Sequence, residues 1–456
     1  MSRFWFKLAA AALFALAWTK VSALEPQRET GILPIHPPTP YIRYLPSNAP
    51  RDRVLVVHGL DVSKEVMQII SAALADGGFE VYAIDLPGHG DSAARFDTAI
   101  AEEAIQNALA QIGDQSIVLG HSLGAGLLLD LAADRHFSTM VLLSPPPLPL
   151  AGIGAKRTLV ISGAFDVGRI REFAPLVANA GQNIESWQLK WEGHSASIFN
   201  PIHVRRIVEW LGGDGGKTRT TARLFWIAVI FVSGVVVGLS LMPGRDLKQK
   251  PILIPAALVR YVAACSAAVL ILKFVVPFAW LHLFATDYLV SFLFLTGLVL
   301  LVQQRNSPRV NPIALLKAAA AAAFVIVVFG LIGGSHVLHV TLSNRRWWRL
   351  PWIAIAGFPL LISDELMIRT IYPRWKSIGV AIITRGLLWA FLVSGVLLLN
   401  RNDAFLVLIA HLMVLFWMLL WFATGVVHRH TQDPFAAALF AALVEGWAFA
   451  AWFVTI

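Results

Sequence analysis

The 456-residue sequence predicts an α/β domain with a mostly parallel sheet, followed by an all-α bundle of transmembrane helices. Two observations carry this. Between residues 50 and 210, short β-rich runs alternate with helical periodicity, the pattern of a parallel sheet covered on both faces. From residue 224 onward the chain is mostly apolar runs of bilayer length, so its 57% hydrophobic and 14% charged residues are unevenly divided. A chain of this length has room for two or three domains.

Residues 1–24 open with Arg3 and Lys7, continue through an apolar stretch from Leu8 to Trp18, and end in Val21-Ser22-Ala23. That is the layout of a signal peptide, with an uncleaved signal anchor as the alternative; either one exports the domain that follows. The apolar core is short for a spanning helix, which favours the signal. Residues 25–52 hold Pro34, Pro37, Pro38 and Pro40 among other prolines, and read as an extended arm or edge strands.

Arg53 to Val57 is a buried strand running into His58-Gly59-Leu60-Asp61. Helical periodicity fills Ser63 to Ala75, and Gly77-Gly78 stops it. Glu80 to Asp85 is the next strand, ending in Asp85-Leu86-Pro87-Gly88-His89-Gly90-Asp91-Ser92, and Ala99 to Ile112 is a helix. Ser116 to Leu119 then leads into Gly120-His121-Ser122-Leu123-Gly124, with helical character from Leu123 to Asp134. A serine between two such glycines, at a strand–turn–helix junction, is a nucleophile elbow. The turn is too sharp for side chains two residues either side. It also puts Ser122 Oγ at a helix N-terminus, where the next backbone N–H can donate to a developing oxyanion.

Taken together, His58-Gly59, Asp85-x-x-Gly88-x-Gly90-x-Ser92 and Gly120-x-Ser122-x-Gly124 resemble the α/β-hydrolase superfamily over residues 50–210, under half the chain. The resemblance implies an α/β-hydrolase fold and a set of roles. Ser122 would be the nucleophile, and the backbone N–H groups of Leu60 and Leu123 would form the oxyanion hole. Asp166 would be the acid, in Gly163-Ala164-Phe165-Asp166 after the strand Thr158 to Gly163. His194 would be the base, in Glu192-Gly193-His194-Ser195 after Ser186 to Trp191. The order Ser, Asp, His is the superfamily's own. A serine hydroxyl attacks only when an imidazole accepts its proton, and the imidazole needs a carboxylate to hold its tautomer.

Glu192 and Asp91 are rival carboxylates, and Asp166 could instead serve a turn. His58, Gly59 and His121 read as motif neighbours that shape the site, since no H-E-x-x-H spacing links the histidines as metal ligands. Neither a metal nor a cofactor is expected. Only Pro145 to Arg157 separates the strand Thr139 to Ser144 from Thr158, too little for the helical cap that many superfamily members insert. An open site follows, rimmed by the apolar run Pro145 to Leu150, in which Leu148 and Leu150 either plug packing or touch acyl chains or bilayer. The implied function is a membrane-anchored serine hydrolase of carboxylic, lipid or thioester substrates. The alternatives are an inactive hydrolase fold used as an exported binding module, and an intramembrane peptidase with an accessory hydrolase domain.

Residues 212–222 read as a flexible linker between the hydrolase domain (25–211) and a polytopic membrane domain (223–456). Eight spans follow, at 224–242, 252–273, 287–303, 317–334, 350–363, 378–399, 404–426 and 435–455. Arg245, Lys248 and Lys250 follow the first span, Arg305 and Arg309 the third, and Arg369, Arg374 and Lys376 the fifth. These loops would be cytoplasmic and the hydrolase domain extracytoplasmic. Arg345, Arg346 and Arg349 fall on the wrong side. The formal charge of +9 thus lies largely in short loops, and no basic stripe points to nucleic acid. The expected partners are the bilayer and an ester substrate. Cys265 is the single cysteine, which excludes an intramolecular disulfide.

Asp364-Glu365-x-x-x-Arg369 resembles the E-E-x-x-x-R motif of intramembrane proteases related to CAAX-processing enzymes. It departs in its first acid and lacks the later F-x-x-x-H, since Phe391 is followed four residues on by Gly395. Shared descent without protease activity is the expectation, and a structural ion pair near a membrane interface the alternative.

Overall fold

The computed structural model describes residues 2–113, 116–150, 152–181, 183–241, 253–275, 281–304, 310–336, 339–342, 346–399 and 405–456. The chain forms two compact units: residues 1–235 with 330–341 and 454–456, and residues 236–329 with 342–453.

In the first unit, α1 (Ser2–Leu24) leads into an edge hairpin of β1 (Gln27–Leu33) and β2 (Thr39–Leu45). Strands and helices then alternate: β3 (Arg53–Val57), α2 (Gln68–Asp76), β4 (Glu80–Ile84), α3 (Thr98–Ile112), β5 (Ile117–His121) and α4 (Leu123–Leu131). They continue through β6 (Met140–Leu143), β7 (Thr158–Gly163), α5 (Gly168–Ala178), β8 (Ile184–Leu189), α6 (Ala196–Phe199) and α7 (Pro201–Trp210). The eight strands form one sheet in the order β1-β2-β4-β3-β5-β6-β7-β8. The hairpin is antiparallel and joins β4 antiparallel, while every pairing from β4 across to β8 is parallel. Successive strand residues bury on alternate faces, Val54, Val56 and Leu119 into one core and Leu55, Val57 and Val118 into the other. Burial on both faces is why these runs are continuously apolar. This is the predicted α/β architecture.

Of two local details, the first differs from expectation and the second decides between the readings left open. The helix expected from Ser63 begins only at Gln68, because Ser63 to Gln68 is a succession of tight turns, with Val66, Met67 and Gln68 N–H groups donating to Ser63, Lys64 and Glu65. The second is the rim. No helix forms among the described residues between β6 and β7, but Leu148 packs against the core beneath Gly126 of α4. Leu148 is therefore a packing plug, and of the pair only Leu150 is exposed.

Residues 212–222 are not the loose chain that their glycines suggest. Asp214 N–H donates to Gly77 O at 3.1 Å, and Arg219 grips Asp76 at 2.7 Å. Helix α8 (Thr220–Leu241) begins inside the segment. Its Arg223 is fully buried, with Nη1 2.9 Å from Asp76. Asp76 closes α2, at the edge where β3 and β4 begin.

The helices that follow are α9 (Ile254–Phe274), α10 (Thr286–Val302), α11 (Pro312–His336), α12 (Arg349–Met367), α13 (Arg374–Leu399), α14 (Phe405–Leu408), α15 (Ala410–Thr431) and α16 (Pro434–Trp452). Eight helices among the described residues, α1 and α8 included, are long and apolar enough to cross a membrane, and α10 is a shorter apolar helix. By length and composition, several such helices suggest a membrane protein. The short span expected at 350–363 extends to Met367 because Ser363, Asp364 and Glu365 are buried within α12. Small residues let the helices approach: the Leu360 backbone lies against Gly297, and Leu350 O against Gly446.

The arginines on the unexpected side have a local explanation. Arg346 Nη1 donates to the carbonyls of Ala450, Ala451 and Phe453 at 3.2, 2.8 and 2.8 Å, which are the open C-terminal carbonyls of α16. Arg349 Nε donates to Leu281 O at 2.8 Å. Both satisfy backbone groups that a helix end or turn leaves bare. Arg245, Lys248, Lys250, Arg305, Arg309 and Arg345 lie outside the described residues.

Candidate active site

Ser122 sits between β5 and α4 with φ 51° and ψ −116°, a strained conformation for a residue with a side chain. The flanking glycines make it possible. A Cβ on Gly120 would meet the Ala125 nitrogen at 2.6 Å, and one on Gly124 would meet Val57 O at 2.5 Å and His58 O at 2.6 Å. Gly124 N–H instead donates to His58 O at 3.1 Å, fastening the His58-Gly59-Leu60 turn to the head of α4. Gly59 runs so close that a Cβ there would lie 3.1 Å from the Ser122 Cβ.

Ser122 Oγ donates to His194 Nε2 at 2.8 Å, and His194 Nδ1 donates to Asp166 Oδ1 at 2.8 Å. The three residues follow β5, β8 and β7, so parallel pairing of these strands delivers all three to one edge of the sheet. Burial would push the Asp166 carboxyl up, but the hydrogen bonds from His194 and from the Val167 N–H hold it below the usual carboxylate range. Chemically, the chain can move a proton from a serine hydroxyl to an imidazole whose far side is already braced. The rival carboxylates are engaged elsewhere. Glu192 takes the Asn200 amide and lies 2.9 Å from His203, and Asp91 lies 2.7 Å from Lys64 Nζ.

The flanking histidines are structural braces. His121 is driven down to about 3 by burial and by neighbouring His194, so it is neutral, and its Nε2 donates to His194 O at 3.1 Å. Burial also lowers His58, partly offset by Asp85. Its Nδ1 donates to Gly59 O at 2.7 Å and its Nε2 accepts Leu86 N–H at 3.0 Å. Leu123 opens α4, so its N–H has no acceptor within the helix and points from the N-terminus beside Ser122.

The sequence reading missed several contributors. Ser144 Oγ donates to His194 O at 3.2 Å, a second bond steadying the histidine loop. Lys64 Nζ is buried among Asp85, Asp91 and Glu65 at 2.5, 2.7 and 3.0 Å. Burial opposes its charge, yet these three carboxylates raise it overall. His339 joins the cluster 3.6 Å from Glu65 and 3.9 Å from Asp91. Burial disfavours its charge too, but Glu65, Asp85 and Asp91 raise it above the ordinary histidine value. Beside the triad, Phe165 and Trp191 pair at 6.0 Å and are 65% and 83% exposed, a large aromatic surface next to Asp166 and His194.

In the second unit, Glu365 is held by Arg369 Nη2 at 2.9 Å and by His428, and Asp364 by Arg385. Glu445 accepts Trp417 Nε1 at 2.9 Å. The acids of the α12 motif thus have arginine and histidine partners within the helices. His428, which the sequence reading did not single out, is one of those partners.

Comparison with known proteins agrees with the fold of the sheet domain. Residues 52–185 match the family model described as alpha/beta hydrolase fold. A protein provisionally named a non-heme haloperoxidase, from Mycobacterium phage D29, is 31% identical over 87 residues, 18% of this chain and 31% of its own length. An acetyltransferase component of the acetoin cleaving system from Cupriavidus necator is 32% identical over 110 residues, 23% of this chain and 29% of its own. The chain thus spans about a third of the length of these curated relatives. A carboxylesterase structure from Bacillus subtilis is 17% identical with a TM-score of 0.36, covering 45% of this chain and 100% of that one. The domain bearing Ser122 has the α/β-hydrolase fold.

Proposed function

We propose that this protein is a membrane-anchored serine hydrolase that cleaves carboxylic esters through an acyl-enzyme on Ser122. The hydrogen-bond chain Ser122–His194–Asp166 carries the reading. Ser122 Oγ attacks the ester carbonyl carbon as its proton passes to His194 Nε2, and the carbonyl oxygen becomes an oxyanion facing the N–H groups of Leu60 and Leu123. Collapse expels the alcohol, protonated by His194. A water then gives a proton to His194 and attacks the acyl carbon, releasing the acid and restoring Ser122.

Helix α1 is retained as an anchor in this reading, since Ala17 and Val21 are fully buried and it pairs with α8 through Phe14 and Gly234. The Lys/Arg distribution favours an extracytoplasmic hydrolase domain. The exposed Phe165–Trp191 pair favours esters with an apolar acyl part. The decisive experiment is fluorophosphonate labelling of the purified full-length protein. Labelling present in wild type and lost in Ser122→Ala supports the reading, and labelling that persists in Ser122→Ala refutes it.

A further inference from the structure

Leu60 lies in a turn whose next residue, Asp61, has φ 54°, a conformation uncommon for any residue but glycine. Such a turn keeps its shape only if something holds it. Part of the hold is local, through His58 and its bonds to Gly59 O and Leu86 N–H. The rest comes from the far end of the chain. Val454 N–H donates to Asp61 Oδ1 at 2.6 Å. Thr455 extends the contact: its N–H donates to Gly88 O at 3.0 Å, its carbonyl accepts Phe96 N–H at 2.9 Å, and its hydroxyl donates to Gly88 O at 3.2 Å. Val454 and Thr455 are buried at 0% and 6% exposure, within the same compact unit as the hydrolase sheet.

We infer that Asp61 and the Val454–Thr455 backbone form a clasp that aims the Leu60 N–H at the oxyanion. They are positioning residues: none of them touches the reacting atoms, and each acts through the turn. The inference rests on the serine-hydrolase reading above. It extends the catalytic centre to a segment that follows α16, almost 400 residues after the turn that it holds (393 between Asp61 and Val454). Because an oxyanion donor acts in the transition state, loosening the clasp lowers kcat and leaves ground-state binding alone.

The test uses the full chain in detergent with p-nitrophenyl butyrate. Asp61→Gly accepts the positive φ but removes the acceptor, whereas Asp61→Asn keeps both the acceptor and tolerance of that φ. Expected for Asp61→Gly is a kcat loss of about 10- to 100-fold with KM within about twofold, below the loss from deleting a donor outright. Asp61→Asn restores kcat to within about threefold of wild type. Val454→Pro, which deletes the N–H from the other partner, reproduces the kcat loss. In each variant the affinity for a trifluoromethyl ketone, which forms a tetrahedral serine adduct, falls in step with kcat/KM. An Asp61→Gly protein with wild-type kcat, or one whose trifluoromethyl ketone affinity is unchanged, overturns the clasp. Wild-type hydrolysis that survives Ser122→Ala overturns the underlying reading instead, so the two failures are distinguishable.

Discussion

The guanidinium of Arg223 caps the carbonyl of Leu24 with two N–H groups, Nη2 at 2.6 Å and Nε at 3.1 Å. This ties the end of α1 to the beginning of α8. The packing of Phe14 of α1 against Gly234 of α8, which cleavage after Ala23 would remove, argues for retention of α1. An epitope tag placed before Met1 is expected to co-purify with the full-length protein. Recovery of a protein that begins after Ala23 would show instead that α1 is a cleaved signal.

For the triad, Ser122→Ala and His194→Ala are each expected to lower turnover of a short-chain ester about a thousandfold or more, because such residues act as a unit. Asp166→Asn is expected to be similarly severe, since it upsets the tautomer of His194. Glu192→Gln, by contrast, disturbs only the contacts with Asn200 and His203. Steady-state kinetics on the four variants checks this; a silent Asp166→Asn beside an inactive Glu192→Gln would move the acid to Glu192.

What the sequence showed and what it hid divide by range. The elbow around Ser122 is local, written in glycines within two residues, and Asp166 and His194 follow strands whose apolar runs are plain. Ser144, His339 and Val454 have no local signature. Their importance comes from partners 50, 274 and 393 residues away, His194, Glu65 and Asp61 respectively. The Gly-rich segment misled for the same reason, since Arg219 is ordered by Asp76, 143 residues earlier. Arg346 and Arg349 looked misplaced in the Lys/Arg distribution because nothing in their neighbourhood reveals that they cap distant carbonyls.

A pH dependence follows from His339. Its folded-state value is raised above 6.5 by the Glu65, Asp85 and Asp91 carboxylates, with Lys64 as the opposing cation and Thr341 beside the ring. The stabilisation from its charge is therefore fully present below pH 6.5 and is lost as pH rises through the elevated folded value. Thermal unfolding of wild type and His339→Gln is expected to show its widest gap in Tm at acidic pH, narrowing above 6.5. A gap that widens with rising pH would refute this.

Gly124→Ala places a methyl against Val57 O and His58 O. The cost is expected to be about 1–3 kcal/mol, typical of overpacking. The variant should show a lowered Tm together with lost turnover, because the displaced turn carries Leu60. A Tm equal to wild type would mean that the elbow tolerates the methyl.

The Phe165–Trp191 surface bears on substrate choice. With monomeric esters, kcat/KM is expected to rise with acyl length, each buried methylene contributing about 0.8 kcal/mol at most. Replacing both aromatics by serine should flatten the trend and leave acetyl-ester turnover in place. A trend that is unchanged in the double variant would assign acyl recognition to another surface.

Arg219 and Arg223 root the α8 end of the hydrolase domain on Asp76, where β3 and β4 begin, whereas Ser122, Asp166 and His194 stand where β5, β7 and β8 finish. A five-residue strand such as β5 spans about 17 Å. The tether and the chemistry therefore occupy opposite rims of one sheet, a strand's length apart. In the proposed hydrolysis, an ester lying beside the root of α8 has to travel that distance before its carbonyl can meet Ser122, so tethering and substrate entry are separate problems for this domain.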